Sequence, residues 1–303
     1  MRILFAIILF LTIWTGPNAS AQEDDLSGIL AAQQDYERKP NPKNRQTLLS
    51  SLEQYSGPPK NETVTAYMII LANDGKTGRY SIVRESALAT AEHLEPVASI
   101  LPRQYLEARF IAATALFNED QTPSAMLEMA HVQGLAGQQR DSTGGRPDWA
   151  YNLKNDAETW RLAMDAYYST NDLTDVPTLD AARLVADYRS ASAPIFRPET
   201  AGESVKLPFC SGEFVQKPEM KYRQKKANKG MFGALLVRFE FDSSGAVINP
   251  EVLSSVPANN FDDDVLRTIR KWKFRAASDQ NPGETCRIER SNLIQRFSFN
   301  LSR

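Results

Sequence analysis

Hydrophobic residues recur at helical spacing through the first two thirds of the chain. Leu106, Phe110, Ala113 and Phe117 follow the spacing i, i+4, i+7, i+11, so they share one face of a helix. Glycine and proline separate one such segment from the next. The sequence therefore predicts helices over residues 25–38, 45–55, 62–73, 81–93, 101–117, 123–135, 149–169 and 179–188.

Alanine is frequent on these predicted helices, and its small side chain lets neighbouring helices pack closely in antiparallel pairs. The segments Ala87–Pro96 and Ala112–Phe117 resemble tetratricopeptide-like repeats. A regular 34-residue period and the consensus aromatic residues are missing. The sequence thus leaves two alternatives for this region, stacked helical repeats or another helical bundle, and either one suggests a binding or spacer role.

From about residue 230 onward the period changes from helical to alternating. Leu235, Val237, Phe239 and Phe241 fall on one side of a predicted strand that we expect to be half-buried. A turn at Asp242–Gly245 leads into a second strand over 246–254, where Pro250 favours an edge position or a bulge.

A helix is predicted over 261–274, followed by a long final strand over 287–301. Asp262–Asp264 lie at the helix start, where negative charge complements the helix dipole, and we interpret them as capping residues rather than metal ligands. The predicted fold class is α+β: an all-α N-terminal domain followed by a small antiparallel ββαβ domain.

This C-terminal unit resembles the TonB C-terminal domain family over about 85 residues. The matching features occur in the family's order: Tyr222, Gly230–Gly233, Asp242–Gly245, Ser254 or Ser255, Phe261-Asp262 and Trp272–Ala277. Arg223 and Ala276 stand where the family has proline, and Lys226 where it has alanine.

The resemblance implies that an extended segment of a partner protein binds along an edge strand of the sheet. We expect that edge to be the last strand, with Arg290, Asn292 and Arg296 on its exposed polar face. A second candidate contact is a cluster of five cations in nine residues, which either steers an acidic partner or lipid headgroup or is a solvated helix face. Its cations are Lys221, Arg223, Lys225, Lys226 and Lys229.

The N-terminus has the pattern of a secretory signal peptide. Arg2 precedes an uncharged stretch over 3–14, and Ala19-Ser20-Ala21 follows Gly16-Pro17. We predict cleavage after Ala21, because the uncharged stretch would span only ~18 Å as a helix against a bilayer core of ~30 Å. The alternative is an uncleaved inner-membrane anchor over residues 3–21, which alone would bring membrane contact.

Export implies an oxidising compartment, so Cys210 and Cys286 are a candidate disulfide, with 75 residues between them. The alternative is two separate buried thiols.

Composition excludes several function classes. With two cysteines and two histidines the chain has too few ligands for a multi-His or Cys-rich metal centre, and we expect no metal or cofactor. No nucleophile elbow, zinc-protease or phosphate-loop motif is present, which argues against an enzyme. Nucleic acid is an unfavoured partner for an exported protein with a pI of about 5.9.

The two halves of the chain differ in charge. Residues 204–303 hold 17 Lys and Arg against 11 Asp and Glu, whereas the first 203 residues are acidic. We expect a signal peptide over 1–21, a helical domain with connector over 22–197 and the TonB-like domain over 198–303.

Two functions are consistent with this arrangement. One is a TonB-type component of transmembrane transport that contacts an outer-membrane receptor segment. The other is a soluble periplasmic adaptor or scaffold without an energy-transducing role, favoured because a helical domain stands where a TonB-type transducer has a proline-rich spacer.

Overall fold

The computed structural model describes residues 19–170, 212–220, 231–276 and 290–299. Seven of the eight predicted helices are present, and the eighth, over 179–188, lies outside the described residues. A short 3₁₀ turn, Glu95–Val97, extends the fourth helix. The helices are α1 Ala19–Arg38, α2 Pro42–Gln54, α3 Asn61–Asp74, α4 Tyr80–Leu94, α5 Pro102–Asn118, α6 Thr122–Gln138 and α7 Asp148–Thr170.

The helix starts follow from local chemistry. The side chain of Asn41 accepts a hydrogen bond from the Asn44 backbone N–H at 2.9 Å, and Pro42 occupies the first turn of α2. Pro102 and Pro123 open α5 and α6 in the same way, where a missing N–H costs no helical hydrogen bond.

Successive helices pack against each other around two apolar clusters. One cluster joins α1, α2 and α3, and the other runs from α3 to α7. Alanines are fully buried where α4, α5 and α6 meet: Ala87, Ala108, Ala112, Ala113 and Ala125. Close helix packing through alanine is therefore confirmed, while the tetratricopeptide-like period stays a prediction.

The C-terminal part is built on a three-stranded antiparallel sheet. Its strands are β2 Gly233–Phe241, β3 Val247–Val256 and β5 Leu293–Phe299, in the order β3-β2-β5. A separate pair joins β1 Gly212–Gln216 to β4 Lys273–Ala276. The helix α8, Asp262–Ile269, packs against the face of β2 that carries Leu235, Val237, Phe239 and Phe241. The mixed fold, helices first and a small antiparallel α+β unit second, is as predicted.

The helix predicted over 261–274 is too long, because α8 ends at Ile269 and Lys273–Ala276 is a strand. Tertiary contacts oppose the helical pattern here. The Phe274 ring stacks on Phe241 with centroids 5.2 Å apart, and its backbone N–H donates to the Gly245 carbonyl at 2.8 Å. A helix through Phe274 would forfeit both contacts.

The prediction that β2 is half-buried is wrong for its first half. Leu236 points away from α8, yet it is fully buried. The cause is α7, which packs across this second face of the sheet and contacts β2, β3 and β5. The sheet is thus covered by α8 on one face and, in part, by α7 on the other.

No helix within residues 19–170, 212–220, 231–276 and 290–299 combines the length and apolar character needed to cross a membrane. Most of the predicted signal peptide, residues 1–18, lies outside these ranges.

Candidate partner-binding edge

The strand β5 forms one edge of the three-stranded sheet. It pairs with β2 in an unbroken antiparallel register from Gly233↔Phe299 to Phe239↔Leu293. Among the described residues, no strand pairs with its other side. An edge of this kind presents unpaired backbone N–H and C=O groups that can bind another chain.

Alternate side chains of β5 have different environments. Phe299 is buried and stacks on Phe261 with centroids 4.2 Å apart, while Leu293 and Phe297 pack half-buried against the same core. Ile294, Arg296 and Ser298 point to the other face and are exposed. The apolar side of β5 thus fixes the strand to the domain, and its second side is left accessible.

The outward peptide groups of β5 can be assigned from one local contact. The Gln295 side-chain amide donates to the Arg296 carbonyl at 2.8 Å, as expected for a carbonyl that is not used by the ladder to β2. Peptide groups alternate in direction along a strand, so we infer that Ile294 and Ser298 share the outward direction of Arg296.

The opposite edge, β3, is irregular. Its register with β2 shifts between Leu236 and Val237 and again between Arg238 and Glu240. Pro250 lacks a donor, and Asn249 has a positive φ of 50°. Bulges and proline are devices that protect an edge from further pairing, so β5 is the better accepting edge.

Polar contacts from α7 reach both edges of the sheet. Ser254 on β3 donates to the Asp156 carboxylate at 2.7 Å, and Arg296 on β5 forms an ion pair with Glu158. Lys154 also binds Glu158, at 3.0 Å.

Burial acts to raise the pKa of Glu158, but Lys154 and Arg296 outweigh it and the pKa lies below its usual value. Burial raises the pKa of Asp156 despite the hydrogen bond from Ser254.

An aromatic cluster joins α5 and α7 to the start of β2. The Phe117 ring lies 6.0 Å from Trp160, 5.2 Å from Tyr167 and 5.9 Å from Phe232, all edge-on. Beside this cluster, Ala163 of α7 packs with Ala234 and Val256. The contact between the helices and the sheet therefore combines apolar burial with the two polar links at its edges.

The structure separates the residues predicted for the polar face of the last strand. Arg296 lies within β5, whereas Arg290 and Asn292 precede the strand. The Arg290 guanidinium donates to the Asp242 carbonyl at 3.1 Å, and its own carbonyl accepts from the Phe241 N–H at 2.8 Å. Asn292 has a left-handed backbone with φ of 54°. The simple alternation assumed from the sequence is interrupted at this point.

The predicted cationic cluster and the candidate disulfide lie outside the described residues. This applies to Lys221, Arg223, Lys225, Lys226 and Lys229, and to Cys210 and Cys286. Their roles stay predictions.

Three polar residues of α7, Lys154, Asp156 and Glu158, were not identified from the sequence. Asp156 and Ser254 are 98 residues apart, and Glu158 and Arg296 are 138 apart. One signal was available: three charged residues, Lys154, Asp156 and Glu158, occur within five consecutive positions of α7.

The two histidines have packing environments. His93 Nε2 hydrogen-bonds Thr63 at 2.7 Å, its ring lies 4.7 Å from Tyr67, and burial lowers its pKa. Burial and the nearby Arg109 lower the pKa of His131. Within the part of the chain that the structure describes, no three His, Cys, Asp or Glu residues are grouped as metal ligands.

Comparison with known proteins identifies this C-terminal unit. A family model described as "Gram-negative bacterial TonB protein C-terminal" matches residues 218–299. Protein TonB of Yersinia enterocolitica is 35% identical over 49 residues, which are 16% of this chain and 19% of the relative. Protein TonB of Salmonella typhimurium (strain LT2) is 34% identical over 70 residues, 23% of this chain and 25% of the relative.

This chain therefore spans a quarter or less of the length of these two relatives. A solved structure, the solution NMR structure of the Pseudomonas aeruginosa TonB CTD, matches at 23% identity and a TM-score of 0.26. That match covers 30% of this chain and 88% of the solved one. The antiparallel sheet and α8 described above lie within residues 218–299, the region that is similar to the TonB C-terminal family.

Proposed function

We propose that this protein is a cell-envelope protein that binds an extended segment of a partner protein as an added strand on β5. The observation that carries the proposal is the regular, proline-free edge of β5 with outward peptide groups at Ile294, Arg296 and Ser298. Main-chain hydrogen bonds supply affinity in this mode of recognition, and alternate side chains supply specificity.

The family match supports the cell envelope as the location, because its description names Gram-negative TonB proteins. Export through the signal sequence over 1–21 would place the domain in the periplasm, where an outer-membrane receptor segment is within reach. A binding role, not catalysis, agrees with the environments of His93 and His131, which lie in different packing contacts.

Two biological roles are compatible with strand addition. A transport component would transmit force from the inner membrane to the bound partner, whereas an adaptor would hold two partners together. The packing of α7 on the sheet favours the adaptor, since it fixes the helical domain directly beside the binding edge.

Site-specific photo-crosslinking in living cells tests the proposal without knowing the partner. A benzophenone amino acid replaces Ser298 on the proposed edge and, as the control, Ile100, an exposed residue of the helical domain. We expect an envelope protein to be crosslinked from position 298 and not from position 100.

A proline variant shows whether the crosslink depends on the edge. Ile294→Pro removes an outward N–H without removing a bond to β2, so the fold should persist while the crosslink is lost. The matched Gln295→Pro removes an inward N–H and should lower stability instead. Equal crosslinking from both probe positions, or an undiminished crosslink in Ile294→Pro, would contradict strand addition.

Intact-mass analysis of cell fractions separates the two roles. A soluble periplasmic form beginning at Gln22 would support the adaptor, and a full-length inner-membrane form would support the transducer. The same spectra, recorded with and without reductant, show whether the mass lacks the two hydrogens lost on joining Cys210 to Cys286.

A further inference from the structure

The α7-side face of β5 carries excess positive charge next to the proposed binding edge. The Glu158 carboxylate is 7% exposed and is shared by two cations, Lys154 through one oxygen and Arg296 through the other. Since one negative charge faces two positive charges, this triad is left with a net charge of +1. Arg296 is 59% exposed, so the remaining charge is accessible from the edge.

Other cations on this face are balanced by their own partners. Arg238, which pairs with Ile294 across the β2–β5 ladder, forms an ion pair with Glu251 at 2.6 Å. Leu236, which pairs with Arg296, is uncharged and buried. The local excess is therefore centred on Arg296 and Lys154.

A strand added to β5 would bring its side chains to this charge. Neighbouring strands lie about 4.8 Å apart, and directly opposed residues of an antiparallel pair have Cβ atoms about 5 Å apart on the same face. The partner residue opposite Arg296 would therefore point to the face that α7 covers. Its neighbour two positions along would lie opposite Ile294, an apolar side chain that is 40% exposed.

We propose that the edge selects an extended peptide with a carboxylate side chain opposite Arg296 and an apolar side chain two residues along, opposite Ile294. The helical domain takes part in this selection because Lys154 and Glu158 set the charge and the position of Arg296. This inference rests on the proposed function, strand addition to β5, and adds the chemical class of the partner segment.

Selection from a phage-displayed library of random ten-residue peptides on the full chain tests the inference. The enriched sequences should carry Asp or Glu two positions from an apolar residue. Arg296→Glu should weaken such a peptide by about tenfold, and exchanging the acidic residue of the peptide for Lys should restore binding. The control is Arg267→Glu, an equal charge change at an exposed cation of α8.

A second variant tests the part played by the helical domain. Lys154→Met leaves Glu158 to neutralise Arg296 alone, so the preference for acidic peptides should fall while binding of neutral peptides is kept. An unchanged preference in this variant would exclude α7 from the site.

The outcomes separate the inference from the function on which it rests. Peptide binding that Ile294→Pro abolishes supports strand addition. If the peptides bound in this way show no preference for acidic residues, or if Arg296→Glu keeps that preference, strand addition stands and the inference about charge fails. If no peptide is enriched, or Ile294→Pro binds equally well, strand addition itself fails and the inference with it.

Discussion

Gly245 ends the turn between β2 and β3 at a point where no side chain fits. Its φ is 79°, and a Cβ atom there would lie 1.8 Å from the Phe274 carbonyl oxygen. The Asp242 side chain completes the turn by accepting hydrogen bonds from the Ser244 and Ala246 backbone N–H groups at 2.8 and 2.9 Å. This turn could be predicted from sequence because its hydrogen bonds lie within five consecutive residues, Asp242–Ala246.

Gly245→Ala should lower the free energy of unfolding by more than about 1 kcal/mol, since it adds both a positive-φ penalty and a backbone clash. Urea denaturation measures the change. The matched control is Gly134→Ala within α6, where a Cβ meets nothing within 4 Å and the substitution should stabilise by about 0.5–1 kcal/mol. A Gly245→Ala protein as stable as the wild type would contradict the described turn.

Asp74 is a buried carboxylate with a dedicated partner. Arg45 donates to both of its oxygens at 2.8–3.0 Å, and the Asp74 side chain is only 3% exposed. Asp74→Ala should cost about 3–5 kcal/mol because it leaves the Arg45 charge without its partner. Asp35→Ala, which removes an exposed ion pair with Arg38, should cost less than about 1 kcal/mol in the same denaturation assay. Equal losses of unfolding free energy would show that the buried Arg45–Asp74 pair stabilises the fold no more than the exposed Arg38–Asp35 pair does.

Among the elements, α7 differs most from its sequence-based description. The spacing of its apolar residues identified α7 as a helix. It did not show that α7 would pack against both the helical cluster and the sheet, because the partners of its charged residues are brought close only in the folded chain. The polar groups Asp156 and Glu158 bind strands that lie about a hundred residues later. For the same reason the sequence predicts a half-buried β2, whereas Leu236 on its second face is buried.

Asp156 makes the contact between α7 and the sheet sensitive to pH. Burial raises its pKa in the folded state, so the folded protein binds a proton more tightly than the unfolded chain does. Its contribution to stability is therefore most favourable below the ordinary pKa of Asp and is lost as pH rises through the raised value.

Asp156→Asn removes this charge while keeping an acceptor for Ser254. The variant should be more stable than the wild type at pH 7. The difference in stability should shrink as the pH falls through the raised pKa of Asp156, and it should vanish below about 4, the ordinary pKa of Asp. Urea denaturation at several pH values measures the trend. A difference in stability that grows toward low pH would show that burial of the charged Asp156 carboxylate is not its cause.

At the scale of the whole molecule, α7 ties the helical domain to the sheet. One set of its apolar residues joins the cluster of α5 and α6, and a second set joins the cluster with Phe232, Ala234 and Val256. We expect the two parts to unfold together, because unfolding either one would expose a face of α7.

Fluorine NMR of protein labelled with fluorotryptophan tests this coupling, first in the wild type and then in one variant. Trp149 packs against the helical cluster and Trp272 lies in the core of the sheet domain, so each reports on one part. Their urea midpoints should coincide in the wild type. Phe232→Ala, which removes ring contacts with Phe117 and Tyr167, should separate them. Separate midpoints in the wild type would contradict a shared core.

The secondary structure was more predictable from the sequence than the packing of the two parts against each other. Helix positions, the hairpin and the antiparallel α+β unit follow from local periodicity and turn chemistry. The way the domains meet depends on contacts such as Glu158–Arg296, which no local pattern specifies. The candidate edge was predicted through the family resemblance, but Arg290 and Asn292 were placed on it by an alternation that the backbone at Asn292 breaks.

Amide hydrogen exchange of the full chain, with and without a library-selected peptide, tests strand addition most directly. Strand addition should give new protection at Ile294, Arg296 and Ser298, whose peptide groups face outward, and little change at Gln295 and Phe297, which already bond β2. Protection confined to the helical domain, or a β5 edge that exchanges equally fast with and without the peptide, would show that the peptide does not add as a strand to β5.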